Sequence, residues 1–282
     1  DMIPDRPGQE IFTIQENEND AELFQTPGAA IRDARTGEIL WSHSPAIDVT
    51  QGMAADIDPR HPGFEAWGGP GGLRTANGQT IGRAPRETRW TIWWDGDPLR
   101  ELLSVGRAGR GRGPTRPRPT SGRNASGGIS RPGVAQLRGP REDRDELDTQ
   151  APPPQPGDAS RRGPRFGSRT TQIQKWNWEE ERAELLVELP AVSFARGPHI
   201  QGDLIGDWRE ELLLAAPDGK SLRLYTTTIP TDLRLPTLLH NPQYRLGLAW
   251  QNVVYNKPCY PDYYIGAGMK KPSRPAIRVR PK

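Results

Sequence analysis

The sequence predicts an all-β fold made of repeated small antiparallel sheets, the pattern of β-propeller blades. Three observations carry that reading. An acidic, turn-rich segment, Asp1-Met2-Ile3-Pro4-Asp5-Arg6-Pro7-Gly8-Gln9-Glu10-Ile11-Phe12, returns 55 residues later as Asp56-Ile57-Asp58-Pro59-Arg60-His61-Pro62-Gly63-Phe64-Glu65-Ala66-Trp67. A looser third copy is Asp203-Leu204-Ile205-Gly206-Asp207-Trp208-Arg209-Glu210-Glu211-Leu212. Repeats of roughly 40–55 residues built from short strands are typical of propeller blades. The second observation is a set of short apolar runs joined by tight-turn signals. The third is that no long segment has a convincing 3.6-residue period, which argues against a helical solenoid.

The elements follow in order. Ala29–Ile31 leads through the turn Asp33-Ala34-Arg35-Thr36-Gly37 into the extended run Glu38-Ile39-Leu40-Trp41. Trp90–Trp94 is aromatic and β-favouring, ends at Asp95-Gly96-Asp97, and should pair with Leu99–Leu103 across that turn. Strand signal resumes at Gln172-Ile173-Gln174-Lys175-Trp176. Leu212–Ala215 and Leu222–Thr226 flank Pro217-Asp218-Gly219-Lys220 and read as another hairpin. Trp250-Gln251-Asn252-Val253-Val254 reads as the end of a strand, with Tyr255 just past it at a rim.

Composition divides the chain. Of 282 residues, 33% are hydrophobic, and there are 31 Gly and 30 Pro, so part of the chain falls outside any core. Residues 106–168 contain 13 Arg, no Lys and six acids, a balance of +7; the remainder carries 25 basic and 29 acidic residues, a balance of −4. The basic overall charge therefore belongs to one Gly/Arg/Pro-rich segment. Such a segment buries too little apolar surface to offset its ordering entropy and is expected to be a disordered insertion. It reads either as a polyanion tether or as a tolerated surface insertion. The expected organisation is blades over 1–105, the insertion over 106–168, blades over 169–270 and a basic tail over 271–282.

Cys259 is the sole cysteine, so an intramolecular disulfide or a CxxC site is excluded. No apolar run reaches the ~20 residues of a membrane helix. Asp1-Met2-Ile3-Pro4 lacks the basic start and apolar core of a signal peptide.

Several longer words occur in order: Gly52-Met53-Ala54-Ala55-Asp56-Ile57-Asp58-Pro59-Arg60, Ile92-Trp93-Trp94-Asp95-Gly96-Asp97, Gly206-Asp207-Trp208-Arg209-Glu210-Glu211, Leu224-Tyr225-Thr226-Thr227-Thr228-Ile229-Pro230-Thr231, Tyr244-Arg245-Leu246-Gly247-Leu248-Ala249-Trp250-Gln251-Asn252, Tyr255-Asn256 and Gly266-Ala267-Gly268-Met269. Together they resemble rhamnogalacturonan lyases of polysaccharide lyase family 11. The resemblance covers about residues 1–105 and 169–270. It implies about the last half of an eight-bladed propeller, with an incomplete active site. It also implies bound Ca²⁺, a pectic polysaccharide (rhamnogalacturonan) as substrate, cleavage by β-elimination, and an extracellular or periplasmic setting. Neither nucleic acid nor membrane is an expected partner.

β-Elimination beside a uronic acid removes the C5 proton, which becomes acidic once the neighbouring carboxylate is neutralised. A Ca²⁺ held by oxygen ligands can do this while a side chain takes the proton. The acidic loops supply such oxygens: Asp56 and Asp58 before Glu65, and Asp203 and Asp207 before Glu211. The same spacing also suits Asx-turns, in which Asp oxygens accept from nearby backbone amides, and the residues alone leave both readings open. The resemblance favours calcium in these two loops, and less so in the first, where Ile3 replaces the second Asp. It also makes Tyr255 a substrate contact, where the residue alone could equally close a strand; the general base stays unnamed, Lys257 being a candidate only through lying two residues after Tyr255. The stretch Val192-Ser193-Phe194-Ala195 departs from the family's Asn-Gly-Thr-Lys run, and Gln15-Glu16-Asn17 departs from its His-Glu-Asp. Trp93, Trp94, Trp208 and Trp250 are expected in the core. Arg209 and Arg245 are expected to pair with nearby acids such as Glu210. His43, His61, His199 and His240 lack metal-ligand spacing and should lie at the surface or in turns. A non-catalytic carbohydrate-binding propeller is the alternative function; a nucleic-acid binder using 106–168 is disfavoured by the acidic remainder.

Overall fold

A computed structural model describes residues 1–15, 27–43, 49–69, 71–107, 169–189, 197–216, 218–251, 253 and 257–276. All of them belong to one compact unit, Asp1–Gly109 with Phe166–Lys282. The predicted disorder of the insertion concerns residues that, from 108 to 168, lie outside the described ones.

Four antiparallel sheets follow one another along the chain, each made of strands consecutive in sequence. The first contains β1 (Glu10–Ile14), β2 (Ala29–Asp33) and β3 (Ile39–His43). The second contains β4 (Gly52–Ala55), β5 (Glu65–Gly68), β6 (Leu73–Arg74) and β7 (Thr80–Gly82). The third contains β8 (Thr91–Ile92), β9 (Glu101–Arg107), β10 (Arg169–Asn177) and β11 (Arg182–Leu189), and the fourth β12 (Ile200–Gly202), β13 (Glu211–Ala215) and β14 (Leu222–Tyr225). The predicted hairpins are present: Ile31 faces Trp41, Ile92 faces Glu101, and Leu213 faces Leu224. β9 and β10 pair antiparallel with Arg107 opposite Arg169, so residues 108–168 connect two strands of one hairpin.

Side chains on a strand alternate between faces, and the central sheets are buried on both. Ala54 packs with Ile31, Phe64 and Ala66 towards the first sheet. Its neighbours Met53 and Ala55 join Trp67, Leu73, Leu102 and Trp176 between the second and third sheets. Leu103, one residue after Leu102, turns the other way to meet Ile92, Ile173, Leu212 and Leu214 between the third and fourth. This two-sided burial is why these strands read as apolar runs rather than as strict alternation.

One element departs from the expectation. Of the predicted strand end Trp250–Val254, Trp250 closes a helix, α1 (Pro242–Trp250), and Gln251 caps it, while Asn252 and Val254 lie outside the described residues. Asn241 caps it by accepting from the Tyr244 amide, and Pro242 occupies the first turn, where its missing N–H is harmless. Tyr244 is the buried residue of α1, whereas Trp250 is 68% exposed. Trp93, Trp94 and Trp208 are buried as expected.

Candidate functional site

The acidic segments form a set of four equivalent loops, one more than the sequence repeat revealed. Each ends in a glutamate at the first residue of a strand, and one oxygen of that carboxylate accepts from two consecutive backbone amides of its own loop. Glu10 accepts from Met2 (2.8 Å) and Ile3 (3.3 Å), and Glu65 from Ile57 (2.9 Å) and Asp58 (3.0 Å). Glu101 accepts from Trp94 (2.7 Å) and Asp95 (3.3 Å), and Glu211 from Leu204 (2.8 Å) and Ile205 (3.1 Å). The added loop is Trp93–Glu101, whose Asp95-Gly96-Asp97 reads locally as a plain hairpin turn.

The loops are joined in sequence order. In the second, third and fourth loops the residue before the strand glutamate donates its amide to the preceding loop: Phe64 to the Met2 carbonyl, Arg100 to Asp56 and Glu210 to Trp93, each at 2.9 Å. Where that residue is Arg100 and Glu210, the side chains also pair.

Around these two lies a buried polar network. Arg100 Nη1 is 3.2 Å from Glu210 Oε2, its Nη2 donates to the Cys259 carbonyl at 2.7 Å, and the guanidinium lies over the Trp93 ring at 3.6 Å and the Tyr260 ring at 4.5 Å. Glu210 also accepts from Gln201 Nε2 at 2.8 Å and from the Tyr244 hydroxyl at 2.7 Å. The Glu210 pairing expected for Arg209 thus belongs to Arg100. Arg209 pairs with Asp207 and donates to the Ile229 carbonyl, and Arg245 donates to the Leu239 and His240 carbonyls.

The proposed metal ligands differ in what their oxygens meet. In the second loop, Asp56 accepts from the Tyr264 hydroxyl and the Ala267 amide, while its other oxygen, and the outer oxygen of Glu65, are buried without a hydrogen-bond partner. Burial pushes the Asp56 pKa up to about 6 and that of Glu65 up to about 9. Asp58 is bracketed by Arg60, which donates to it from Nε, Nη2 and the backbone amide. In the fourth loop both Asp203 oxygens are engaged, by the Gly206 amide and by Thr237 and the Leu238 amide. Asp207 accepts from Arg209, and Glu211 also accepts from Thr226. In the third loop, Asp95, Asp97 and Glu101 bring one carboxylate oxygen each within 4.8 Å of one another, a grouping that could hold a metal ion. These three are absent from the sequence-derived ligand set. A signal for them was present in the Asp-x-Asp-x-x-x-Glu spacing, which only its likeness to the fourth loop gives meaning.

Lys257 donates to Gln51 Oε1 (3.2 Å) and to the Gly52 (2.9 Å) and Thr88 (3.2 Å) carbonyls; burial, and then Arg89, lower its pKa to about 8. It lines an apolar cavity of about 510 Å³ with Phe12, Met53, Phe64 and Tyr260. Tyr255, residues 192–196 and residues 16–17 lie outside the described residues.

Four successive antiparallel sheets, joined through acidic loops on a shared glutamate frame, define a repeat-built all-β domain. The chain belongs to rhamnogalacturonan lyase family 11, whose C-terminal domain it matches over residues 1–275. It is 35% identical over 280 residues to the rhamnogalacturonan endolyase YesW of Bacillus subtilis (strain 168), covering 98% of this chain and 34% of YesW. It is 34% identical over 292 residues to the rhamnogalacturonan exolyase YesX of the same organism, covering 99% of this chain and 38% of YesX. The crystal structure of YesW superposes with a TM-score of 0.70 at 33% identity, over 98% of this chain and 36% of that one. A Bacillus licheniformis family 11 rhamnogalacturonan lyase gives 0.68 at 34% identity, over 98% of this chain and 36% of that one. The chain thus spans about a third of the length of the curated relatives it matches.

Proposed function

We propose that this domain serves a secreted, extracellular or periplasmic rhamnogalacturonan lyase that cleaves the pectic backbone by calcium-assisted β-elimination. In this reading the four sheets are blades of an incomplete propeller, about the last half of an eight-bladed ring. The observation that carries it is the family match over 1–275, supported by the four joined acidic loops.

Calcium fits the second loop best. A buried carboxylate oxygen with no partner is costly, and Asp56 and Glu65 each present one. Asp56 and Glu65 would hold the ion, while Asp58, the third expected ligand, is paired with Arg60. Bound there, Ca²⁺ supplies the positive charge that lets these buried carboxylates ionise side by side. The chain's own residues then position the loop: Tyr264 and the Ala267 amide fix Asp56, and the Ile57 and Asp58 amides fix Glu65. In the fourth loop Asp203 already has partners on both oxygens, so its Asx-turn role is the better supported. Tyr255 remains the proposed substrate contact.

The test is incubation of rhamnogalacturonan, in Ca²⁺ and in chelator, with a full-length lyase that carries this domain, beside the purified chain alone. New absorbance from unsaturated uronate that disappears in chelator is the expected result for the lyase reading, with Tyr255→Phe lowering kcat/KM. Binding of the polysaccharide without new absorbance supports the carbohydrate-binding alternative. Absence of both in the full-length enzyme overturns the two together.

A further inference from the structure

The four loops share a frame, but they differ in what meets the outer oxygen of the strand glutamate. Arg6 meets Glu10 at 3.1 Å, Thr226 meets Glu211 at 3.1 Å and Lys175 meets Glu101 at 2.7 Å, while the outer oxygen of Glu65 has no partner. Only in the third loop does a single cation reach every carboxylate. Lys175 Nζ lies 2.8 Å from Asp95, 2.8 Å from Asp97 and 2.7 Å from Glu101. The three oxygens it touches come from the grouping spaced for a metal ion.

The lysine is delivered from outside the loop. It stands on β10, opposite Glu184 on β11, 74 residues beyond Glu101. The strand is paired on both sides, so the ammonium is held at a fixed height above the loop. An ammonium has three donors and no acceptor, and here three carboxylates receive them. Burial acts most strongly, against the charge, but Glu101, Asp97 and Asp95 together outweigh it and raise the pKa. Divalent cations and ammonium groups satisfy the same oxygen cluster, and one position cannot hold both.

We propose that the Lys175 ammonium is the resident cation of the Asp95–Asp97–Glu101 site, and that removing it converts this loop into a Ca²⁺ site. Any calcium dependence of the domain then resides outside this loop, which keeps its shape without metal. The inference stands on the third loop's own geometry, independent of whether the second loop binds calcium.

The experiment is calcium stoichiometry by equilibrium dialysis, with thermal melts in Ca²⁺ and in chelator, on the full chain. Lys175→Met is expected to melt lower than the parent in chelator, to bind one more Ca²⁺ per chain, and to recover most of the lost melting temperature on calcium addition. Lys175→Met with Asp97→Asn should lose the extra ion. Unchanged stoichiometry in Lys175→Met overturns the proposal. If that variant does not fold, Asp97→Asn alone decides: the Asn carbonyl still accepts from the Leu99 amide, at 2.8 Å in the parent, so the loop is kept. Unchanged calcium stoichiometry in Asp97→Asn supports a lysine-filled site; loss of one ion means that the parent holds calcium there and overturns it. Glu65→Gln reports separately on the second loop, so failure of either reading is distinguishable from failure of the other.

Discussion

Arg100 and Glu210 occupy the same position in two successive acidic loops, one residue before the strand glutamate, and close on each other as a buried ion pair at 3.2 Å across 110 residues of chain. Each also anchors its loop through its own amide, Arg100 to the second loop and Glu210 to the third. The pair joins the third sheet to the fourth, and through Tyr244 and Cys259 it reaches α1 and the C-terminal segment.

Removing one member leaves an uncompensated buried charge. Arg100→Met should therefore lower stability by about 3–5 kcal/mol, read from urea unfolding. Glu210→Gln should also destabilise, and the double variant should lose less than the sum of the two, because the residues share one network. Additive losses would show that they act independently.

The second loop sets a pH dependence. Glu65 has a folded pKa of about 9 against an ordinary 4.5, and Asp56 about 6 against 3.8, burial being the main cause in both. The folded state thus binds these protons more tightly than the unfolded state. Their stabilising contribution is full below the ordinary values and is lost as pH rises, through about 6 for Asp56 and about 9 for Glu65. In chelator the melting temperature should fall between pH 5 and 9, and Glu65→Gln should flatten part of that slope, because burial also raises Glu101 to about 8 and Glu211 to about 7. Calcium competes with those protons, so its stabilisation should grow over the same interval. A chelated melting temperature independent of pH would remove this account.

Tyr244 and Trp250 on α1 should behave oppositely. The Tyr244 hydroxyl donates to Glu210 at 2.7 Å and accepts from the Asp203 amide at 2.9 Å. Tyr244→Phe leaves both groups buried without that partner, at a cost of about 1–3 kcal/mol. Trp250 is 68% exposed, and Trp250→Ala should change stability by no more than about 0.5 kcal/mol. Equal losses from the two substitutions would contradict the orientation of α1.

By itself the sequence determined the strands and their turns: the hairpins after Asp33, Asp95 and Ala216 follow from apolar runs flanking Gly- and Asp-containing turns, which are local properties. It also determined that acidic loops recur, and through several ordered words it pointed to the family. Tertiary structure decided which face each side chain serves. Leu102 and Leu103 are adjacent and chemically alike, yet they fill different cores because stacked sheets cover both sides of β9. It also decided α1, which the sequence reading missed and which is held in place where buried Tyr244 meets Glu210 and the Asp203 amide. Trp208 adopts φ +74°, a region bulky residues avoid, because its ring is buried and its indole N–H reaches the Leu233 carbonyl. The occupancy of the third loop by Lys175 was likewise invisible in the sequence. A lysine 74 residues away becomes a loop's counter-ion only when strand pairing sets its register, and register depends on neighbours that the local sequence does not contain.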